Sequence, residues 1–224
     1  MKKTSLGLLA FALWLAPSGR ADIIYNFSMN TAPLVGNGPF ALDFQFLDGS
    51  GSGDDNNTVK LTNFTFGGGS ASGGGTATGG AAGSLALGVT LQDTSFFNEY
   101  YESFTPGTLL SFTIDTTSVP DTGGTPDLFT VAILDSGLNE LPTNGPASEF
   151  LDVSLAGGTN AQVSTYGSAP GSEFSLAAPI VQSQSPSPVP EPSSFGELIT
   201  VLLAGGVWHI VVKPRRLAAK AEVR

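Results

Sequence analysis

The 224-residue chain contains no cysteine, only one histidine, and few charged residues (12%). The missing cysteine removes disulfides, thiol nucleophiles, iron–sulfur clusters and cysteine-based zinc sites together. The single histidine, His209, lies far outside the polar body of the chain, so a Ser-His-Asp triad there has no base. Basic residues are scarcest in the middle. Lys60 is the only one between Asp22 and Pro190, against sixteen acidic residues, which leaves that stretch with a formal charge of −15. Phosphate binding needs Lys and Arg to displace counterions, so a nucleic-acid partner is excluded. What the chain has in quantity is apolar side chain (41%), glycine (29) and proline (15). That apolar content argues against a wholly disordered protein, and the length suits one ordinary domain with tails.

Both ends read as targeting segments. Residues 1–21 have the three parts of a secretory signal peptide, expected as a helix: Lys2 and Lys3, an apolar run from Leu6 to Leu15, then Gly19 and Ala21 as small residues before a cut at Asp22. Residues 185–194 form a proline-rich linker that favours an extended polyproline conformation. Residues 195–212, from Phe195 to Val212, are largely apolar, and as a helix they span ~27 Å, enough for one transmembrane crossing. Residues 213–224 are a basic tail. Lys213, Arg215 and Arg216 flank the span directly and hold that side in the cytoplasm. Glu197 and His209 lie towards the two ends of the span, where they reach the headgroup regions.

This order of parts resembles the PEP-CTERM sorting signal of exported bacterial proteins. The matching residues are Val189, Pro190, Glu191 and Pro192, then the apolar span, then Lys213, Arg215 and Arg216. The resemblance implies recognition of the Pro-Glu-Pro motif by an exosortase, a membrane transpeptidase. It also implies export through the Sec machinery and association with exopolysaccharide outside the cell.

Between the tails, residues 22–184 alternate with period two. Ile23 to Met29, Phe40 to Phe46, Leu85 to Leu91 and Leu110 to Ile114 each predict a strand with one buried face. Val59 and Leu61, followed by Phe64 and Phe66, change face near Asn63 and predict a bulge. Leu128 to Leu134 is apolar on both faces and suits a central strand. Glu149 to Leu155 and Gln162 to Tyr166 add two more candidates, while Phe96 to Phe104 reads as a short helix or an irregular strand. The expected fold is all-β: an antiparallel β-sandwich, jelly-roll-like, between the two terminal helices. The glycine-rich stretch Gly67 to Gly83 fits no phosphate-binding motif and reads as a mobile loop or a weak glycine-rich strand.

Three sets of side chains invite chemistry. Asp48, Asp54 and Asp55 lie in a glycine-rich loop whose oxygens suit calcium, although the EF-hand pattern is absent. Glu99 and Glu102 are the least implausible pair of hydrolytic carboxylates, but on a strand their spacing of three places them on opposite faces. Lys60 invites an isopeptide crosslink, against which a lone strand lysine is usually solvent-facing. The expected function is that of an exported, non-enzymatic surface or extracellular-matrix protein without an obligatory cofactor. Two other readings stay open: a calcium-dependent carbohydrate-binding module and a secreted hydrolase.

Overall fold

The computed structural model describes residues 23–119, 125–157 and 161–184. The segments expected as signal peptide, proline-rich linker, membrane span and basic tail lie outside these residues. Within them the chain is all-β, with no α-helix and one short 3-10 turn at Ala32–Leu34.

The strands form two antiparallel sheets. The first runs in the order β13 (Ile180–Gln184), β1 (Ile23–Asn30), β9 (Leu109–Thr116), β3 (Thr58–Thr65), β7 (Gly88–Gln92) and β6 (Gly80–Ser84). The second runs β12 (Gln162–Thr165), β11 (Leu151–Leu155), β10 (Asp127–Leu134), β2 (Phe40–Leu47) and β8 (Phe97–Thr105). Its far edge, on β8, is capped by two short strands, β4 (Ser70–Ala71) and β5 (Thr76–Thr78).

The alternation seen in the sequence explains the arrangement. The long strands β1, β2, β3, β8, β9 and β10 turn their apolar phase towards the other sheet, and the two inner faces meet in one core. Phenylalanines fasten it. Phe27 stacks on Phe112 within the first sheet at 4.4 Å between ring centres, and Phe112 meets Phe44 of the second sheet edge-to-face at 5.7 Å. Phe44 continues to Phe129, and Phe64 reaches both Phe44 and Phe112. Burying one such ring contributes about 1.5–3 kcal/mol, so the core needs no disulfide. Leu128 to Leu134 is indeed a central strand, β10, between β11 and β2. The register of β3 against β9 shifts between Thr62 and Thr65, and Asn63 has a left-handed φ of 57°, which is the bulge expected there.

Three local readings are narrowed or corrected. Phe97–Thr105 is a regular strand, because its alternate residues Asn98, Tyr100, Glu102 and Phe104 are all buried. Leu85 to Leu87 is no strand but the turn between β6 and β7, closed where Ser84 pairs with Gly88, and it leaves Leu87 93% exposed. The third is the glycine-rich stretch, which forms β4, β5 and β6, and so edges both sheets. Glycine is required there by close approach: a Cβ at Gly69 would sit 1.9 Å from the Thr105 carbonyl oxygen, inside β8 itself.

The two ends of the body meet. Ile24 of β1 pairs with Gln184 of β13, so the chain enters and leaves at one end of the first sheet.

Candidate functional site

The loops at that same end gather acidic side chains, including those expected to hold calcium. Asp48 follows β2 and is buried, and its carboxylate organises the loop after it. Oδ1 accepts the Ser50 and Gly51 amides at 2.6 and 3.1 Å, while Oδ2 accepts those of Gly53 and Asp54 at 2.5 and 3.1 Å. Burial works to raise the pKa of Asp48, but these hydrogen bonds outweigh it and hold the carboxyl below its ordinary range. Asp54 accepts from the Asn56 side chain at 2.7 Å, and Asp55 accepts from Gln92 across to β7. The three residues therefore share a loop but point to different partners. Among the described residues no group of three or more His, Cys, Asp or Glu side chains is placed to hold a metal ion.

Beneath this loop lies a buried polar knot. The Asn57 side chain donates to the Val119 carbonyl at 2.9 Å and to Asp127 Oδ2 at 2.7 Å, and it accepts the Val119 amide at 2.7 Å. The Asn57 amide donates to Asp93 Oδ2 at 2.9 Å. Asp93 is fully buried, its Oδ1 has no hydrogen-bond partner, and burial with Asp127 and Asp54 nearby pushes its pKa up to about 7. The knot ties the loop before β3 to the segments before β10 and after β9, which is structural work.

Glu99 and Glu102 sit on opposite faces of β8, as the spacing requires. Glu102 points inward, where it accepts the Gly73 and Leu85 amides, each at 2.9 Å, and the Tyr100 hydroxyl. All those partners hold the glycine-rich segment in place. Lys60 is exposed on β3, in register with Asp115 and Thr90.

Glu99 points outward and joins a set that sequence reasoning missed. Strand register aligns Ser164, Asp152, Thr130, Gln45, Glu99 and Thr78 in one row across β12, β11, β10, β2, β8 and β5. Five inter-strand steps of about 4.8 Å make the row roughly 24 Å long. One step along the strands, Asp43 lies beside Tyr101 and Ala132. Asp43 is only 2% exposed; its Oδ2 accepts Gln45 Nε2 at 2.7 Å, and its Oδ1 has no partner. Gln45 Nε2 also lies 3.5 Å from Glu140 Oε1.

Electrostatics binds the set together. Burial pushes the Asp43 pKa up to about 7, with the neighbouring charges of Glu99 and Glu140 adding to it. Burial and Glu140 raise Glu99 as well. Glu149 is raised by burial, then by Asp152 and Glu140, and Asp152 is raised by burial against a hydrogen bond from Tyr166. Glu149 Oε2 and Asp152 Oδ1 are buried without hydrogen-bond partners, like Asp43 Oδ1. Five carboxylates thus share one face with no basic residue among them. The available signal was Asp43 and Gln45 on the polar phase of an otherwise apolar strand. Their neighbours come from strands distant in sequence, so only the sheet order reveals the cluster.

Compared with protein-family models, with curated proteins and with solved structures, the chain matches none.

Proposed function

We propose that this chain is an exported, non-enzymatic protein whose acidic β-body is displayed outside the inner membrane. A signal helix at residues 1–21 directs it to the Sec machinery, and a transmembrane helix at residues 195–212 holds the precursor. The Val189-Pro190-Glu191-Pro192 motif presents it to an exosortase, and the mature body joins exopolysaccharide at the cell surface or in the extracellular matrix. One observation carries the reading: cations lie only outside the body, apart from Lys60, with Lys213, Arg215 and Arg216 directly after the apolar run.

Fractionation of cells expressing the tagged chain, with mass spectrometry of both mature ends, tests this reading. Loss of residues 1–21 and a new C-terminus near Glu191 in the extracellular fraction is the expected result. A cytoplasmic protein that keeps Met1 and Arg224 would overturn it. Protease added to intact spheroplasts should digest the body and spare the basic tail; the reverse pattern refutes the orientation.

A further inference from the structure

The first sheet ends in two unlike edges. At one, β6 is broken by Gly83, whose φ is 119°. At the other, β13 pairs with β1 in unbroken register, from Ile180 opposite Ser28 to Gln184 opposite Ile24, and among the described residues its outer side pairs with no strand. A free strand edge is a template for another strand, and proteins blunt it with charge, proline or a bulge. Within β13 there is no charged residue, no proline and no bulge. All its residues but Val181 are exposed, Ile180 to 64%. Charge is missing beside it too: β1 has no charged side chain, and the first charge inward from the edge, Asp115 of β9, stands in register with Lys60. Two copies of a body with a formal charge of −15 repel each other where their acids meet, and this edge lets two backbones approach without that cost. Its chemistry is also self-complementary. Two β13 strands laid antiparallel and centred on Gln182 pair along their whole length: Gln182 faces Gln182 of the second copy, Val181 faces Ser183 and Ile180 faces Gln184. A glutamine amide both donates and accepts, so Gln182 suits its own copy, and the methylenes of Gln184 cover Ile180.

We propose that a second copy of this chain docks on this edge, its β13 antiparallel to the first across a two-fold axis at Gln182, so that two six-stranded sheets become one continuous sheet. An unrelated extended peptide would take the backbone hydrogen bonds but would bring no matching amide to Gln182. Pairing is compatible with anchoring of both copies in one membrane. The ends of a five-residue strand lie ~13 Å apart, whereas ten residues such as 185–194 reach ~31 Å when extended. The inference goes beyond the export reading and does not depend on it, so either can fail alone.

The absence of cysteine makes the test direct, because a single introduced thiol reports on one contact. The purified full-length chain in a non-ionic detergent is oxidised with copper–phenanthroline, and disulfide dimers are measured on gels. Gln182→Cys places two thiols opposite each other at the axis and should give mostly dimer, since opposed strand residues lie within disulfide range. Ala82→Cys, exposed on β6 at the far edge of the same sheet, should stay monomeric. A mixture of Ile180→Cys and Gln184→Cys chains, tagged to differ in size, should crosslink to each other and much less to themselves. Adding Gln182→Lys to both sets like charges together at the axis and should lower that yield about fivefold or more, with an unchanged melting temperature showing that the body still folds. A Gln182→Cys chain that remains monomeric, equal dimer from Ala82→Cys, self-crosslinking as strong as that of the mixture, or a yield indifferent to Gln182→Lys overturns the proposal.

Discussion

Tyr100 donates its hydroxyl hydrogen to Glu102 Oε2 at 2.5 Å, two residues along the same strand and on the same inward face. The phenol lies so close under the glycine-rich segment that a Cβ at Gly75 would stand 2.1 Å from its oxygen. Burial and the neighbouring Glu102 raise the phenol's pKa, so it stays a donor at any physiological pH. Glu102 in turn takes the amides of Gly73 and Leu85, so one carboxylate organises a segment that has almost no side chains of its own.

The first prediction follows from that pair. Glu102→Ala strands two amides and a phenol in the interior, at about 1–3 kcal/mol each. Unfolding by urea should show a loss of several kcal/mol, and hydrogen exchange should show residues 70–87 losing protection first. Tyr100→Phe should cost much less, about 1 kcal/mol, and a double-mutant cycle should return a clear coupling energy. Two independent losses that simply add would refute the shared arrangement.

The strands of the body were legible because their signal is local. In β1, β2, β9 and β10 a period-two pattern survives unbroken, and burial of the apolar phase decides the face. Leu85 to Leu87 shows where that signal misleads: the alternation continues into a turn, because Gly83 and Gly88 adopt φ of 119° and 112° and reverse the chain there. The glycine-rich strands gave no pattern, since what fixes them is pairing with the β8 and β7 backbones and the Glu102 carboxylate, with only Ala71 and Ala81 packed against the core. Asp48 could be seen as an acid in a loop, but its four amide partners depend on the loop's conformation. The Asp43 face depends on sheet order, which places β2 beside β10 and β8 across long stretches of sequence.

Close approach separates two glycines of the same segment. Gly69→Ala puts a methyl 1.9 Å from the Thr105 carbonyl oxygen, so backbone must move and the β4–β8 pairing is lost. At Gly74 a Cβ meets nothing within 4 Å, and only the left-handed φ of 78° opposes it. Gly74→Ala should therefore cost about 1 kcal/mol, and Gly69→Ala distinctly more. Melting temperatures of the two variants measure the difference; equal losses would mean that β4 does not rest on β8 as described.

Asp48 gives a stability term with a defined pH window. Burial acts to raise its folded pKa, but the Ser50 side chain and the amides of Ser50, Gly53 and Gly51 overcome that and depress it. A depressed carboxylate stabilises the fold above the unfolded pKa of about 3.9, and that contribution disappears as pH falls through the folded value. Asp48→Asn should lower stability at pH 7 by about 1–3 kcal/mol. The gap between wild type and variant should close below about pH 4. A gap that persists at pH 2 would show that Asp48 acts through packing rather than charge.

Asp43 and Asp93 act with the opposite sign and over a different range. Each has its pKa pushed up to about 7, first by burial and then by neighbouring carboxylates: Glu99 and Glu140 around Asp43, Asp127 and Asp54 around Asp93. The unfolded chain releases these protons near pH 3.9, whereas the folded protein holds them until about pH 7. Between those values unfolding releases protons, so stability falls as pH rises, by up to about 1.4 kcal/mol per pH unit for each group. Above pH 7 the dependence ends, because both states are charged. The urea midpoint should thus be higher at pH 5 than at pH 8. Asp43→Asn and Asp93→Asn should each stabilise the protein at pH 8 and flatten the profile, and the double variant should flatten it most. If the profile of the double variant were as steep as that of the wild type, the buried protons would have to reside elsewhere.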